Sequence, residues 1–407
     1  MVLRGLRIGV MMSGGIAAYK VTELVRQLIK KGAQVRVMMT ASATQFISPL
    51  TMQVLSRANV IVDTFDENEA EHVQHIHYAD WCDLVVLAPA TANIIGKLAN
   101  GIADEVVSTT LLAVTCPKLI VPAMNSHMYD HPAVQRNIEV LIQDGNHIME
   151  PDTGFLAEGY EGKGRLPDIE AIVIQIESIA ASIVYPQVLQ DQKIIVTTGG
   201  TIERVDPVRY ISNDSSGKMG FAMARFAAWL GAEVELITSK GNFPSLPNVN
   251  THLVESASEM YEKVLFFYED TDYVVMSAAV SDYRAASPAD QKLKKNDQTS
   301  QKVVWELVEN PDILANLGQK KDKQVLIGFA AETQEIMKYA HDKLERKNAD
   351  WIVANDVSEA GIGFNSDHNQ VTIIGRDGRI EKLPVMDKLV LAGRIWSIVT
   401  NQEIDSE

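Results

Sequence analysis

"RIGVMMSGG" (7–15) and "KIIVTTGGT" (193–201) decide the fold, because each is a short apolar run that feeds a glycine pair. Runs of this kind, alternating with helices, are the mark of parallel strands covered on both faces. After the first, Val21, Leu24, Val25, Leu28 and Ile29 recur at the helical period. That helix stops at Gly32, and "AQVRVMMT" (33–40) reads as the next strand, followed by "DLVVLAPA" (83–90) and "KLIVPAM" (118–124). After the second, a helix covers about 218–230 and "GAEVELITS" (231–239) echoes "GAQVRVMMT" (32–40). "DYVVMSAAVSD" (272–282), "VLIGFAAET" (325–333) and "WIVANDV" (351–357) supply further strands. "QVTIIGRDG" (370–378) carries the hairpin turn Asp377-Gly378, and a helix from about 385 to 400 closes the chain. The pattern predicts an α/β protein of two tandem doubly wound domains, Rossmann-like or flavodoxin-like, with mostly parallel sheets. The boundary falls in "VYPQVLQDQK" (184–193), giving domains 1–188 and 189–407.

Size and composition agree. A chain of 407 residues exceeds one ordinary core, and its 46% hydrophobic and 22% charged residues are those of a globular protein. A net charge of −16 argues against a nucleic-acid binder, so phosphates are met locally, by glycine loops and a few lysines. Cys82 and Cys116 are too few for a disulfide framework. The N-terminal apolar run is shorter than a signal-peptide core or a membrane span. The expectation is a cytoplasmic enzyme of small molecules, with no membrane or nucleic-acid partner.

Both glycine pairs sit where a strand feeds a helix, the place where phosphates dock on free backbone N–H groups. Neither is the dinucleotide fingerprint G-x-G-x-x-G nor the P-loop, which disfavours a nicotinamide enzyme; a plain tight turn is the other reading. In the first half "SGGIAAYK" (13–20), "APATANIIGKLANGIADEV" (88–106) and "PAMNSHMYDHP" (122–132) all follow strands. Together they resemble the flavin-binding cysteine decarboxylases, phosphopantothenoylcysteine decarboxylases in particular, over most of residues 5–166. The resemblance implies that Gly14, Gly15 and Ile16 with Thr40 hold the FMN phosphate. It implies that Phe46, Ala88, Pro89, Ala90, Thr91 and Asn93 line the flavin, that Asn125 binds the substrate carboxylate, and that Met124 and Arg165 contact substrate. A dianion suits N–H groups at a helix start, and an amide offers two donors without charge. A turn-forming asparagine is the plainer reading of Asn125.

"EHVQHIHYAD" (71–80) holds three histidines. A metal site, a surface helix with incidental histidines, and a catalytic base are the open readings; the family's histidine aligns with His75. His127 and His131 lack the H-E-x-x-H pattern and read as structural. In the family, FMN oxidises the cysteine thiol to a thioaldehyde, which takes up the electrons left by departing carbon dioxide, and the resulting enethiol is then reduced. "GFLAEGYEGKGRL" (154–166) resembles the glycine-rich flap that closes over this intermediate. Where the family has a cysteine as final proton donor, this chain has Glu158. Glu158 protonates the carbon itself in a dry closed flap, or the reduction is impaired, or Glu158 is a solvated carboxylate.

The second half, from "TTGGTIERVDPVRYISNDSSGKMG" (197–220) through "SAAVSDYR", "KLKK", "NPDI", "GFAAET" and "ANDV", resembles the phosphopantothenate–cysteine ligases. The two halves together resemble the bacterial bifunctional proteins of coenzyme A biosynthesis. The implied chemistry activates 4′-phosphopantothenate with CTP and Mg2+ as an acyl-cytidylate, which the amine of L-cysteine then attacks. "DQKLKKNDQTSQK" (290–302) places Lys292, Lys294 and Lys295 on a polar segment, a solvated loop in the plain reading. The resemblance makes Lys292 the essential lysine of a mobile lid and Asn213 the residue that handles the acyl-cytidylate. Asp282, Asn310, Pro311, Asp312, Ile313, Phe329, Lys343 and Lys347 would contact the nucleotide, the two lysines sharing a helix face. Gly199, Gly200, Ser215, Ser216 and Gly217 would form the loops against phosphate or pantothenate. The family's trimeric decarboxylase and dimeric ligase domains imply a homo-oligomer, combined into a dodecamer. The alternative is a working ligase beside a flavin-binding domain that Glu158 has silenced.

Overall fold

The computed structural model describes residues 2–65, 73–157, 159–294, 304–332, 336–356 and 366–405. The chain divides into two compact units, Met1–Val184 and Tyr185–Glu407.

In the first unit, β1 (Arg7–Met12), β2 (Gln34–Met39), β3 (Leu84–Ala90), β4 (Lys118–Pro122) and β5 (His147–Ile148) form one parallel sheet in the order β2-β1-β3-β4-β5. This is the flavodoxin-like order, whose reversal of winding lies between β1 and β3. Every residue of β3 is buried, as a strand covered on both faces must be. The helix Ala18–Lys30 turns Val21, Leu24, Val25 and Leu28 inward, each such side chain adding about 1.5–3 kcal/mol by burial. β6 (Asp152–Phe155) and β7 (Glu161–Arg165) pair antiparallel, so the glycine-rich segment is a hairpin; Glu158 lies outside the described residues.

The second unit has a larger sheet. Counted by chain order, its parallel strands are Lys193–Thr198, Glu233–Thr238, Val249–Leu253, Tyr273–Met276, Val325–Glu332 and Trp351–Asp356, arranged 3-2-1-4-5-6. That is the Rossmann order, so the two units share a construction but not a topology. Val371–Gly375 and Ile380–Lys382 extend the sheet antiparallel, joined at Asp377-Gly378 with Gly378 at φ 87°. The strand Val249–Leu253 (VNTHL) was not expected from its sequence. It is an edge strand with little buried surface, held by Asn250 Nδ2 donating to Glu235 Oε1 at 2.9 Å and by His252 against Glu235. Trp396, wholly buried on the closing helix Lys388–Thr400, donates its indole N–H to Met223 O at 3.1 Å. No described helix is long and apolar enough to cross a membrane.

Candidate functional site

The first unit's site lies at the β1/β3 reversal, outside the carboxyl ends of the strands. Ser13 ties the two loops together: its hydroxyl donates to Pro89 O at 2.7 Å and accepts from Thr91 N–H at 3.0 Å. Beside it a cavity of about 650 Å3 is lined by Gly14, Gly15, Ile16, Thr91, Met124, Asn125 and Arg165, all anticipated. Its size suits a cofactor or drug-sized molecule. Gly14 makes a close turn, for a methyl group there would stand 2.4 Å from Ser42 Cβ. The cradle of small residues with an apolar wall fits a flavin, whose ring needs flat access and whose phosphate needs free N–H groups. Overpacking that turn costs about 1–3 kcal/mol, so Gly14→Ala is expected to weaken flavin binding about 10-fold in a titration of apoprotein. An unchanged affinity would remove the Gly14 turn from the binding surface.

Other anticipated residues do not line this cavity. Thr40 accepts from Ala43 N–H at 3.1 Å, and Phe46 and Asn93 are exposed. Ala88 and Ala90 are wholly buried in β3, with Pro89 between them. His75 is half-buried near the start of the helix Gln74–Trp81, with its Nδ1 shielded from solvent and unpartnered among the described residues. His72 lies outside the described residues, and no group of three metal-binding side chains occurs among those described. His131 caps the helix Pro132–Gln143 by accepting from Ala133 N–H at 3.2 Å. Tyr19, Lys20, Met128, Phe155 and Leu156 also line the cavity. They lie within the stretches 13–20, 122–132 and 154–166, Met128 on the short helix Ser126–Tyr129 beside the hairpin, but which side chains of those stretches face the cavity is decided by tertiary packing. Neither cysteine lines it: Cys82 is buried against Gly9 and Tyr78, and its burial pushes the thiol pKa up.

The hairpin covers Asn125. Met124 N–H donates to Gly164 O at 2.9 Å, and Gly164, at φ 153°, has no room for a Cβ, which would fall 2.1 Å from Met124 O. Asn125 caps the short helix Ser126–Tyr129, its Oδ1 accepting from His127 N–H at 2.9 Å.

In the second unit two adjoining cavities, of about 490 and 410 Å3, share Ala278, Val280, Asp282, Phe329 and Lys343. They open where the first and fourth strands diverge, again at the reversal of winding. The larger is lined by Asn213, Ser215, Ser216 and Gly217, the smaller by Asn310, Pro311, Asp312, Ile313 and Lys347. Asn213 Nδ2 donates to Val280 O at 3.1 Å, and Asn310 Nδ2 donates to Ser281 O at 2.8 Å. Gly199 and Gly200 stand behind the lining, packed against Ser239 and the Asn213 carbonyl. Lys347, 9% exposed, pairs with Asp312; burial lowers its pKa while the charge of Asp282 raises it. Asn355, Asn369 and Lys388 complete the larger cavity. Asn369 and Lys388 went unanticipated, because they arrive from beyond the parallel sheet with no motif around them. Lys388 is buried, which lowers its pKa, and donates to Ser366 O at 2.5 Å.

Lys292 is exposed and lines neither cavity, and Lys295 lies outside the described residues. Its neighbour Leu293 is clasped: the N–H donates to Asp206 Oδ2 at 3.1 Å and the carbonyl accepts from Arg209 Nη2 at 2.7 Å. Asp206 is 1% exposed, and the Arg209 guanidinium holds its carboxyl well below the usual carboxylate range.

Residues 2–181 match the flavoprotein family, and residues 189–402 match the DNA/pantothenate metabolism flavoprotein C-terminal domain. The coenzyme A biosynthesis bifunctional protein CoaBC of Bacillus subtilis (strain 168) is 50% identical over 378 residues, 93% of this chain and 92% of that one. Its counterpart in Escherichia coli (strain K12) is 42% identical over 396 residues, 97% of this chain and 96% of that one. A solved C-terminal domain of a coenzyme A biosynthesis bifunctional protein CoaBC is 40% identical, covering 53% of this chain and 97% of that chain at a TM-score of 0.45. With each family match lying on its own sheet and such identity running through nearly the whole chain, this protein belongs to the bifunctional coenzyme A biosynthesis family, enzymes with decarboxylase and ligase activities.

Proposed function

We propose that the second unit joins 4′-phosphopantothenate to L-cysteine at the expense of CTP, and that the first decarboxylates the product to 4′-phosphopantetheine with FMN. The observation that carries the proposal is the pair of cavities meeting at Asp282, Phe329 and Lys343. A two-step activation needs the nucleotide and the acid side by side, with one wall common to both. The smaller cavity, with Lys343 and Lys347, takes the nucleotide; the larger, with Asn213 and the Ser215–Gly217 loop, takes the acid. Mg2+ would arrive on the triphosphate, with Asp282 as the carboxylate in reach of both cavities. Lys292 closes from outside onto charge that develops on pyrophosphate.

The clasp on Leu293 sets where Lys292 starts from. Asp206→Ala is expected to lower the ligation rate about 10-fold, the worth of charge-assisted hydrogen bonds, with flavin content unchanged. A ligation rate equal to wild type would show that Lys292 does not depend on the clasp.

In the first unit Gly14, Gly15, Ile16 and Thr91 would hold FMN, which supplies thiol oxidation and returns the electrons at the end. Asn125 would orient the substrate carboxylate, and His75 would take the thiol proton. The glycine hairpin excludes water above them. A second reading, a ligase beside a silent decarboxylase, is favoured by the absence of a thiol from the cavity lining among the described residues. Mass analysis of the products from phosphopantothenate, cysteine, CTP and Mg2+ decides. Phosphopantetheine supports the full proposal; the carboxylated conjugate supports the second reading; no conversion overturns both. The family's oligomeric build would combine three-fold and two-fold axes in a dodecamer, read directly by solution mass.

A further inference from the structure

Tyr160 stands on the hairpin, outside the cavity lining, and its Oη lies 2.5 Å from Asn125 Nδ2. An amide NH2 only donates, so the phenol oxygen accepts this bond and its own proton is left to point elsewhere. The amide cannot be turned over, because its Oδ1 already accepts from His127 N–H at 2.9 Å. One Nδ2 hydrogen is therefore spent on Tyr160, and the other is held in a defined direction. The phenol is held as well. Its ring lies against the His127 ring at 6.1 Å between centroids, and its carbonyl accepts from Leu156 N–H at 2.9 Å. Among the described residues, Oη makes no other hydrogen bond that would consume its proton.

We propose that Tyr160 and Asn125 form a two-donor clamp for the substrate carboxylate: Tyr160 fixes the amide and presents its own O–H beside the remaining N–H. A carboxylate carries two oxygens and is best met by two convergent donors. The clamp adds no charge, which suits a group that must leave as neutral carbon dioxide. The inference rests on the decarboxylase reading of the first unit and adds to it a second residue, beside Asn125, that recognises the leaving carboxylate.

The test uses the full-length holoenzyme and two unreactive ligands, measured by calorimetry. One is phosphopantothenoylserine, with a hydroxyl in place of the thiol and the carboxylate kept. The other is the corresponding ethanolamine amide, which lacks the carboxylate. Tyr160→Phe keeps the ring against His127 and removes only Oη. A hydrogen bond to a charged group is worth enough that Tyr160→Phe is expected to bind the carboxylated ligand about 10-fold or more weakly. The ethanolamine amide is expected to bind the variant and wild type alike. The ligation rate of the same molecules and their flavin content report the fold. Equal weakening of both ligands would reduce Tyr160 to a packing residue of the hairpin and overturn the clamp. So would no weakening of either. If wild type binds neither ligand, the decarboxylase reading itself falls and the clamp with it.

Discussion

Asn125→Asp is expected to stop the chain at the carboxylated conjugate. The fold survives the change, since aspartate caps a helix as well as asparagine does and Oδ1 keeps its bond from His127 N–H. What changes is the atom facing the cavity, from an N–H donor to a charged oxygen. Two like charges about 4 Å apart at a protein surface repel by about 4 kcal/mol, a factor of roughly 1,000. Decarboxylation should fall by that order, while the ligase, in the other unit, proceeds at its usual rate. Mass analysis would then show the conjugate accumulating from phosphopantothenate, cysteine and CTP. Complete conversion to the decarboxylated thiol would remove Asn125 from substrate recognition.

Lys292→Gln is expected to do the reverse. Glutamine keeps length and polarity but withdraws the positive charge that the proposed ligation would bring to departing pyrophosphate. Losing one such stabilising group costs about 100- to 1,000-fold in rate. Flavin content and the decarboxylation of conjugate supplied from outside should be untouched. Ligation within about three-fold of wild type would return the segment to the plain solvated loop that its exposure suggests. Together the two variants assign one activity to each unit within a single polypeptide.

Much of the fold was legible because parallel strands announce themselves. Buried on both faces, β1 and β3 carry unbroken apolar runs, and the first glycine pair marks where β1 turns into its helix. In the second unit Gly199-Gly200 leads instead into the antiparallel pair Ile202–Arg204 and Tyr210–Ser212, and the helix begins only at Lys218. The edge strand Val249–Leu253 was missed for the converse reason: with one neighbour and a wet face it needs no apolar run, and Asn250 and His252 find partners on Glu235. At the sites the motifs located the cavities, but not every side chain that faces them, because that direction is set by tertiary contact. Lys388 and Asn369 face their cavity from elements whose neighbours carry no signal in the chain, whereas Lys20 lies inside the stretch 13–20 and only its direction was hidden.

The sequence by itself therefore determined two doubly wound units, their glycine turns, and the replacement of an expected thiol by Glu158. Only the tertiary structure decided that the first sheet winds 2-1-3-4-5 and the second 3-2-1-4-5-6, because strand order is a matter of which crossovers pack, not of local propensity. Only it placed Tyr160 on Asn125, 35 residues away, because a hydrogen bond across that interval leaves no periodic trace. And only it set Leu293 between Asp206 and Arg209, since a backbone clasp depends on no side chain of the residue it holds.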